Sequence, residues 1–199
     1  MSHWPDEFST VGKYVCVEPL TQAHEADLTE AAADGELHRL WYTSIPKPEH
    51  VGAEIKRRLG LWETGSMLPF AIVDKASGRA VGMTTYMNID AAAKRVEIGS
   101  TWYRKSVQRS PLNTECKLLL LKHAFEEIDC ISVEFRTHFM NMQSRSAIER
   151  LGAKLDGVLR SHMVAADGSV RDTACYSIIA SEWPAVKTHL MWKLEKPRD

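Results

Sequence analysis

Glycine is missing where it would be most informative. The hexapeptide QRSPLN (108–113) joins a strand-like run ending in TWY to a leucine-rich stretch, TECKLLLLKHAF, and it holds none of the chain's 11 glycines. Cysteine is scarce and scattered: Cys16, Cys116, Cys130 and Cys175 form no C-x-x-C pair. That spacing argues against a disulfide framework and against a zinc or other metal site, and it fits reduced, buried thiols in a cytoplasmic protein. Charge of one sign is also lacking. Lys and Arg number 25 against 26 Asp and Glu, a formal net charge of −1, so nothing pulls the chain as a whole toward nucleic acid or an anionic membrane. No run approaches the ~18 consecutive apolar residues of a membrane helix. The opening MSHWPDEFSTV is polar with two acids, unlike a signal or transit peptide. Internal repeats and low-complexity tracts are absent. The chain has 199 residues, 44% hydrophobic and 26% charged, enough for one sizeable core and a single domain over 1–199.

The pattern alternates between periods. KYVCVEPL (13–20) reads as a strand, and 20–34 as a helix with Thr21 as N-cap. Residues 48–65 form an amphipathic helix through Val51, Ile55, Leu59 and Trp62, stopped by Gly65. LPFAIVD (68–74) and AVGMTTYMNID (80–90) are strands joined by a KASG turn, and RVEIGSTWY (95–103) is another. A helix follows QRSPLN to about Ile128. ISVEFRTHF (131–139) alternates, with Ile131, Val133, Phe135 and Phe139 on one face and Glu134, Arg136 and His138 on the other. A short helix covers 141–151, the Asp167-Gly168 turn joins a hairpin, and a last helix follows Pro184. The layout is α+β, one mostly antiparallel sheet with helices.

At QRSPLN, Ser110 is a good cap and Pro111 fits the first helical position. A helix N-terminus offers unpaired N–H groups and partial positive charge, and Arg104, Lys105 and Arg109 add full charges beside it. Those features suit an anion. A solvated basic turn that merely starts a core helix accounts for the same residues.

Three stretches carry a resemblance: RVEIGSTWY, QRSPLNTECKLLLLKHAF and EFRTHFMNMQSRSAIERLGA. Together they resemble the acyl-CoA-binding half of the GNAT superfamily of N-acetyltransferases, in the branch typified by ribosomal-protein N-terminal acetyltransferases. The family pattern is a strand, a Q/R-x-x-G-x-G/A pyrophosphate loop, a helix, a strand, and N-x-x-S ahead of a helix ending in G-F. Gln108, Asn141, Ser144 and Gly152 match it, whereas Pro111 and Asn113 stand where glycines usually do and Ala153 replaces the aromatic residue. Proline removes an N–H donor, while asparagine tolerates left-handed φ. The resemblance implies a central twisted sheet with helices on both faces and acetyl-CoA as co-substrate. It implies pyrophosphate on the loop of Gln108, Arg109, Ser110, Leu112, Asn113 and Thr114, with Trp102, Tyr103 and Asn141 along the pantetheine arm.

Amide formation from a thioester sets its own demands. An ammonium of pKa near ~10 must lose a proton, the oxyanion needs donors, and the departing thiolate needs a proton. Ser144 is the polar member of a stripe with Ala147, Ile148 and Leu151. It is either a back-bonded serine or, by the resemblance, the acid for the thiolate. Base candidates are Glu97, on the strand that lines the family's acyl cleft, His162 before the hairpin turn, and Glu134. Glu134 shares a face with Arg136 and His138 and reads as a paired surface charge. Trp41 and Tyr42, in HRLWYTSIP, fall where the family walls its acceptor cleft, although such aromatics are also ordinary core. The resulting expectation is an acetyl-CoA-dependent N-acetyltransferase acting by direct attack in a ternary complex. Its acceptor is a small primary amine or a protein N-terminus, with a homodimer open. A CoA-binding regulatory module without turnover is the rival.

Overall fold

The computed structural model describes residues 4–165 and 168–196. A short strand β1 (Thr10–Val11) and β2 (Val15–Pro19) lead to helix α1 (Glu25–Ala33). The expected helix from residue 20 begins as one 3-10 turn, Gln22–His24, where the Thr21 N–H donates to His24 Nδ1 at 3.1 Å. Histidine thus does the reciprocal capping that glutamate usually does. Helix α2 (Val51–Glu63) ends at Gly65, whose φ of 72° is the left-handed turn that glycine adopts without a Cβ penalty. Strands β3 (Met67–Asp74), β4 (Arg79–Asp90) and β5 (Arg95–Tyr103) form a meander, followed by α3 (Pro111–Lys122) and a π-helical turn, His123–Glu127. Next come β6 (Ser132–His138), α4 (Met142–Glu149), β7 (Lys154–Val164), β8 (Val170–Ile179) and α5 (Trp183–Glu195).

All eight strands share one sheet in the order β1-β2-β3-β4-β5-β6-β8-β7. Every neighbouring pair is antiparallel except β5 and β6. The α+β, mostly antiparallel class expected from the pattern is what forms. The hairpin of β7 and β8 closes through Ala165 and Gly168; the Asp167 of the expected turn lies outside the described residues. One expectation is corrected: Ile131 does not join the inward row of β6 but precedes the strand and is 56% exposed. Its main chain is spent on the Lys94 carbonyl and the Ala180 N–H, which turns the side chain outward.

Two apolar clusters flank the sheet. Leu68, Phe70, Ile72, Tyr86, Val96, Ile98, Tyr103 and Val133 pack with Leu112, Cys116 and Leu120 of α3 and Leu190 of α5. On the opposite face Ala71, Met83 and Trp102 pack with Leu28 and Ala32 of α1 and Val51 and Ile55 of α2. Helices therefore cover both faces, and burying each such large side chain stabilises by about 1.5–3 kcal/mol. Two polar ties fix α3 against the sheet. The Glu115 carboxylate accepts from the N–H groups of Lys13, Tyr14 and Val15 at 2.8, 2.6 and 2.9 Å, and the Tyr86 hydroxyl donates to the Leu120 carbonyl at 2.5 Å.

Candidate functional site

The site follows from how β5 and β6 meet. Their parallel pairing holds at Arg95↔Ser132, Val96↔Val133 and Glu97↔Glu134 and then stops. Beyond it β5 continues to Tyr103 and β6 to His138 without pairing to each other, while each keeps its other neighbour. The sheet forks there, so residues 98–103 have no strand partner on the β6 side, and main-chain groups on that edge that no side chain takes up are open to a ligand. A bulge in β5 sharpens the divergence. Thr85 pairs with Gly99 but Met83 with Trp102, so Ser100 and Thr101 oppose one residue, and Ser100 takes φ 46°.

Glu97 stands at the vertex. It alternates with Val96 and Ile98, which face α3, so its side chain is on the opposite face, and it is only 5% exposed. Asn88 Nδ2 donates to its Oε2 at 2.7 Å, and Arg136 Nε lies 3.4 Å from the same oxygen. Burial pushes the Glu97 carboxyl above its ordinary range. The Asn88 bond and the charges of Arg136, Arg171 and His162 pull it back without cancelling that rise. Gly99 makes room for the group, since a Cβ there would sit 2.8 Å from Glu97 Oε1 and 2.7 Å from the Met87 sulfur. Glu134 is paired with Arg95 and, at 2.8 Å, with Arg136. His162 is exposed in a bulge of β7, its Nδ1 3.1 Å from the Thr173 hydroxyl, and its charge reaches Glu97. On the same face Trp41, 60% exposed, meets the His138 ring edge-on at 5.0 Å, with Tyr42 half-buried beside it.

The other face of the fork is built from helix starts. The Ser110 hydroxyl accepts from the Leu112 N–H at 3.3 Å, and Pro111 occupies the first turn. Arg109 precedes it with φ 62° and is exposed. Leu112 and Thr114 are buried and Asn113 is half-buried. Gln108 turns back, its Nε2 donating to the Tyr103 carbonyl at 3.2 Å while Gln143 of α4 reaches its Oε1 at 3.5 Å. Asn141 caps α4, accepting from the Ser144 N–H at 2.9 Å through Oδ1. Ser144 is half-buried above Ile148 and Leu151, which join the α3-side cluster, and its hydroxyl has no hydrogen-bond partner among the described residues. Trp102 and Tyr103 bury their side chains in opposite clusters, so what they present at the fork is main chain. Among the described residues no group of three or more His, Cys, Asp and Glu is placed to hold a metal ion.

Asn88 and Arg171 beside Glu97 escaped the sequence reading of the site, and Arg136 was placed only with Glu134. Their proximity depends on cross-strand register, and the one local signal was the charged alternation of β6. The open β5 edge and the α3 start suit a long ligand with an amide-bearing arm and an anionic end, which is the chemistry of a pantetheine diphosphate.

Comparison with known proteins gives the family and the fold. Residues 15–154 match the family described as acetyltransferase (GNAT) domain. The solved structure of a GCN5-related N-acetyltransferase from Brucella melitensis has a TM-score of 0.87 and 32% identity, covering 96% of this chain and 86% of that one. The Mycobacterium smegmatis RimJ in complex with CoA-disulfide has a TM-score of 0.75, covering 90% of this chain and 88% of its own; at 22% identity it is a likeness of fold. YdaF of Bacillus subtilis (strain 168), by name a candidate ribosomal N-acetyltransferase, is 29% identical over 110 residues, 55% of this chain. That match spans 59% of the relative's length. No described helix is long and apolar enough to cross a membrane.

Proposed function

The chain belongs to the GNAT acetyltransferase family, and from that premise we propose that it moves an acetyl group from acetyl-CoA to a primary amine by direct attack, with no acyl-enzyme. The observation that carries this reading is the fork itself, with a buried, hydrogen-bonded carboxylate on one face and, on the other, a serine hydroxyl that has no partner among the described residues. A thioester laid in the gap would meet its amine from the Glu97 side and release its thiolate on the Ser144 side.

Glu97 serves as the base, directly or through a water. Its raised pKa makes it a better proton acceptor than an exposed carboxylate, and its contact with Arg136 keeps the ionised form populated. His162 is the second group able to take the proton, from its bulge at the rim of the same face. Ser144 passes its hydroxyl proton to the leaving sulfur and is reprotonated from solvent, while the proton shed by the attacking nitrogen leaves through the base. The N–H groups of Asn113 and Thr114 with Arg109 hold the diphosphate, joined by the Leu112 N–H once it exchanges the Ser110 hydroxyl for a phosphate oxygen, and Gln108 and Asn141 use their remaining amide donors on the arm. Trp41 forms a wall of the amine cleft. The loss of the Pro111 N–H is met by charge, which binds phosphate at longer range than a glycine-lined cradle does.

The test is thiol release from acetyl-CoA with a panel of amines, from small amines to peptides with free N-termini. Release that depends on an added amine, with the acetylated amine found by mass, supports the reading. Coenzyme A binding with no release for any amine would instead make the chain a CoA-binding module, the rival that its altered, glycine-free loop keeps open.

A further inference from the structure

The core holds a charge that the chemistry above leaves unused. Lys117 of α3 is 5% exposed, and among the described residues no carboxylate pairs with it. Its Nζ donates to the hydroxyls of Thr101 at 2.8 Å and Thr84 at 3.1 Å. Those two hydroxyl oxygens are 2.7 Å apart, and the Thr101 hydroxyl reaches the Gly99 carbonyl at 3.3 Å. One arrangement of protons satisfies every contact: Lys117 donates to both threonines, Thr84 to Thr101, and Thr101 to the carbonyl. Burial draws the ammonium pKa down to about 8. A second buried cation lies across the sheet. Arg58 of α2 is 2% exposed, pairs through Nε with Glu54 at 2.7 Å, and donates through Nη2 to the Ser100 carbonyl at 3.1 Å.

The two cations thus hold consecutive carbonyls of the bulge from opposite faces, one through a threonine and one directly. A trans peptide is planar and its N–H opposes its C=O. Fixing the Gly99 and Ser100 carbonyls therefore also fixes the N–H groups of Ser100 and Thr101 at the fork. We propose that Lys117 and Arg58 are positioning residues for acyl transfer, clamping the β5 bulge so that its amide donors are preset for the thioester oxygen. A buried ammonium without an acid costs stability that a methionine of similar length would not. Such a charge, placed directly behind the bulge, is the local inconsistency that marks functional sites. The role rests on the acetyltransfer reading, whereas the clamp itself does not.

The test uses the full chain with Lys117→Met and, as an isosteric check on the relay, Thr101→Val. Each is expected to lower kcat at least tenfold while the Kd for coenzyme A changes less than threefold, with Lys117→Met melting no lower than the native protein. Amide hydrogen exchange over residues 98–103 is expected to quicken at least tenfold in both. Unchanged kcat in the folded variants, even with faster exchange, overturns the positioning role, as does loss of coenzyme A affinity in step with kcat. If the native chain acetylates no amine, the acetyltransfer reading fails on its own, and the exchange measurement alone decides the clamp: unchanged exchange overturns it.

Discussion

The two faces of the fork are made of different materials. On the α3–α4 side the groups offered to a ligand are mainly backbone amides at two capped helix starts, with small polar side chains around them. On the other side they are long charged side chains locked in a ladder, Arg95 to Glu134 to Arg136 to Glu97 to Asn88. A backbone cradle keeps its geometry through most side-chain changes. A carboxylate embedded in a ladder owes both its position and its proton affinity to its neighbours. Binding should therefore be robust on the first face, and chemistry fragile on the second.

Glu97→Gln breaks the contrast hardest. It keeps the Asn88 and Gly99 packing but removes the base, so kcat/KM should fall about 100-fold with coenzyme A affinity unchanged by calorimetry. The pH profile gives the sign. Catalysis needs the ionised carboxylate, so the native rate should rise with pH through a limb lying above the ordinary carboxylate range of ~4.3, and that limb should vanish in the variant. Stability should run the other way. A carboxyl whose folded pKa is raised contributes fully below its unfolded pKa and loses that contribution as pH rises through the folded value. At neutral pH the glutamine variant should consequently melt no lower than the native protein. An unchanged rate would hand the base role to His162.

Ser144→Ala comes next, with kcat expected at least tenfold lower and coenzyme A affinity little changed, because the Asn141 cap bonds to the serine N–H and not to its hydroxyl. Unchanged turnover would reduce Ser144 to a small residue at a helix start. Arg109→Ala probes the cradle and should weaken coenzyme A about fivefold at low salt, the difference shrinking as salt screens the charge. Affinity indifferent to that change would leave the loop amides to act alone.

The same contrast explains what could be read without a structure. Capping, proline placement and period located α3, α4 and every long strand, because those signals are local. The resemblance supplied Gln108, Asn141 and Ser144. Nothing local in RVEIG announces that β5 and β6 run parallel for three pairs and then separate, or that Asn88 and Ser100 take φ near 46° in opposed bulges. Lys117 reads as one more helix lysine, and only the packing of α3 on Thr84 and Thr101 shows it to be buried. Ladder and clamp are both products of register, which residue pattern constrains only loosely.

The smallest expected effect is at the rim. Trp41 is 60% exposed and its ring lies edge-to-face with His138, two positions beyond Arg136 on the ladder's face of β6, so it is not core, and under the proposed function it walls the amine cleft. Trp41→Ala removes apolar area from one side of the amine cleft and touches neither the Ser110 cap nor Glu97. The KM for the amine should rise about threefold, the loss of part of one aromatic contact, with kcat and the Kd for coenzyme A within error of native. A bulky amine should feel the change more than a small one, because only the bulky one reaches the ring. Equal effects on all amines would mean that Trp41 supports the 34–50 connection and not the acceptor, and the charged face would then end at His138.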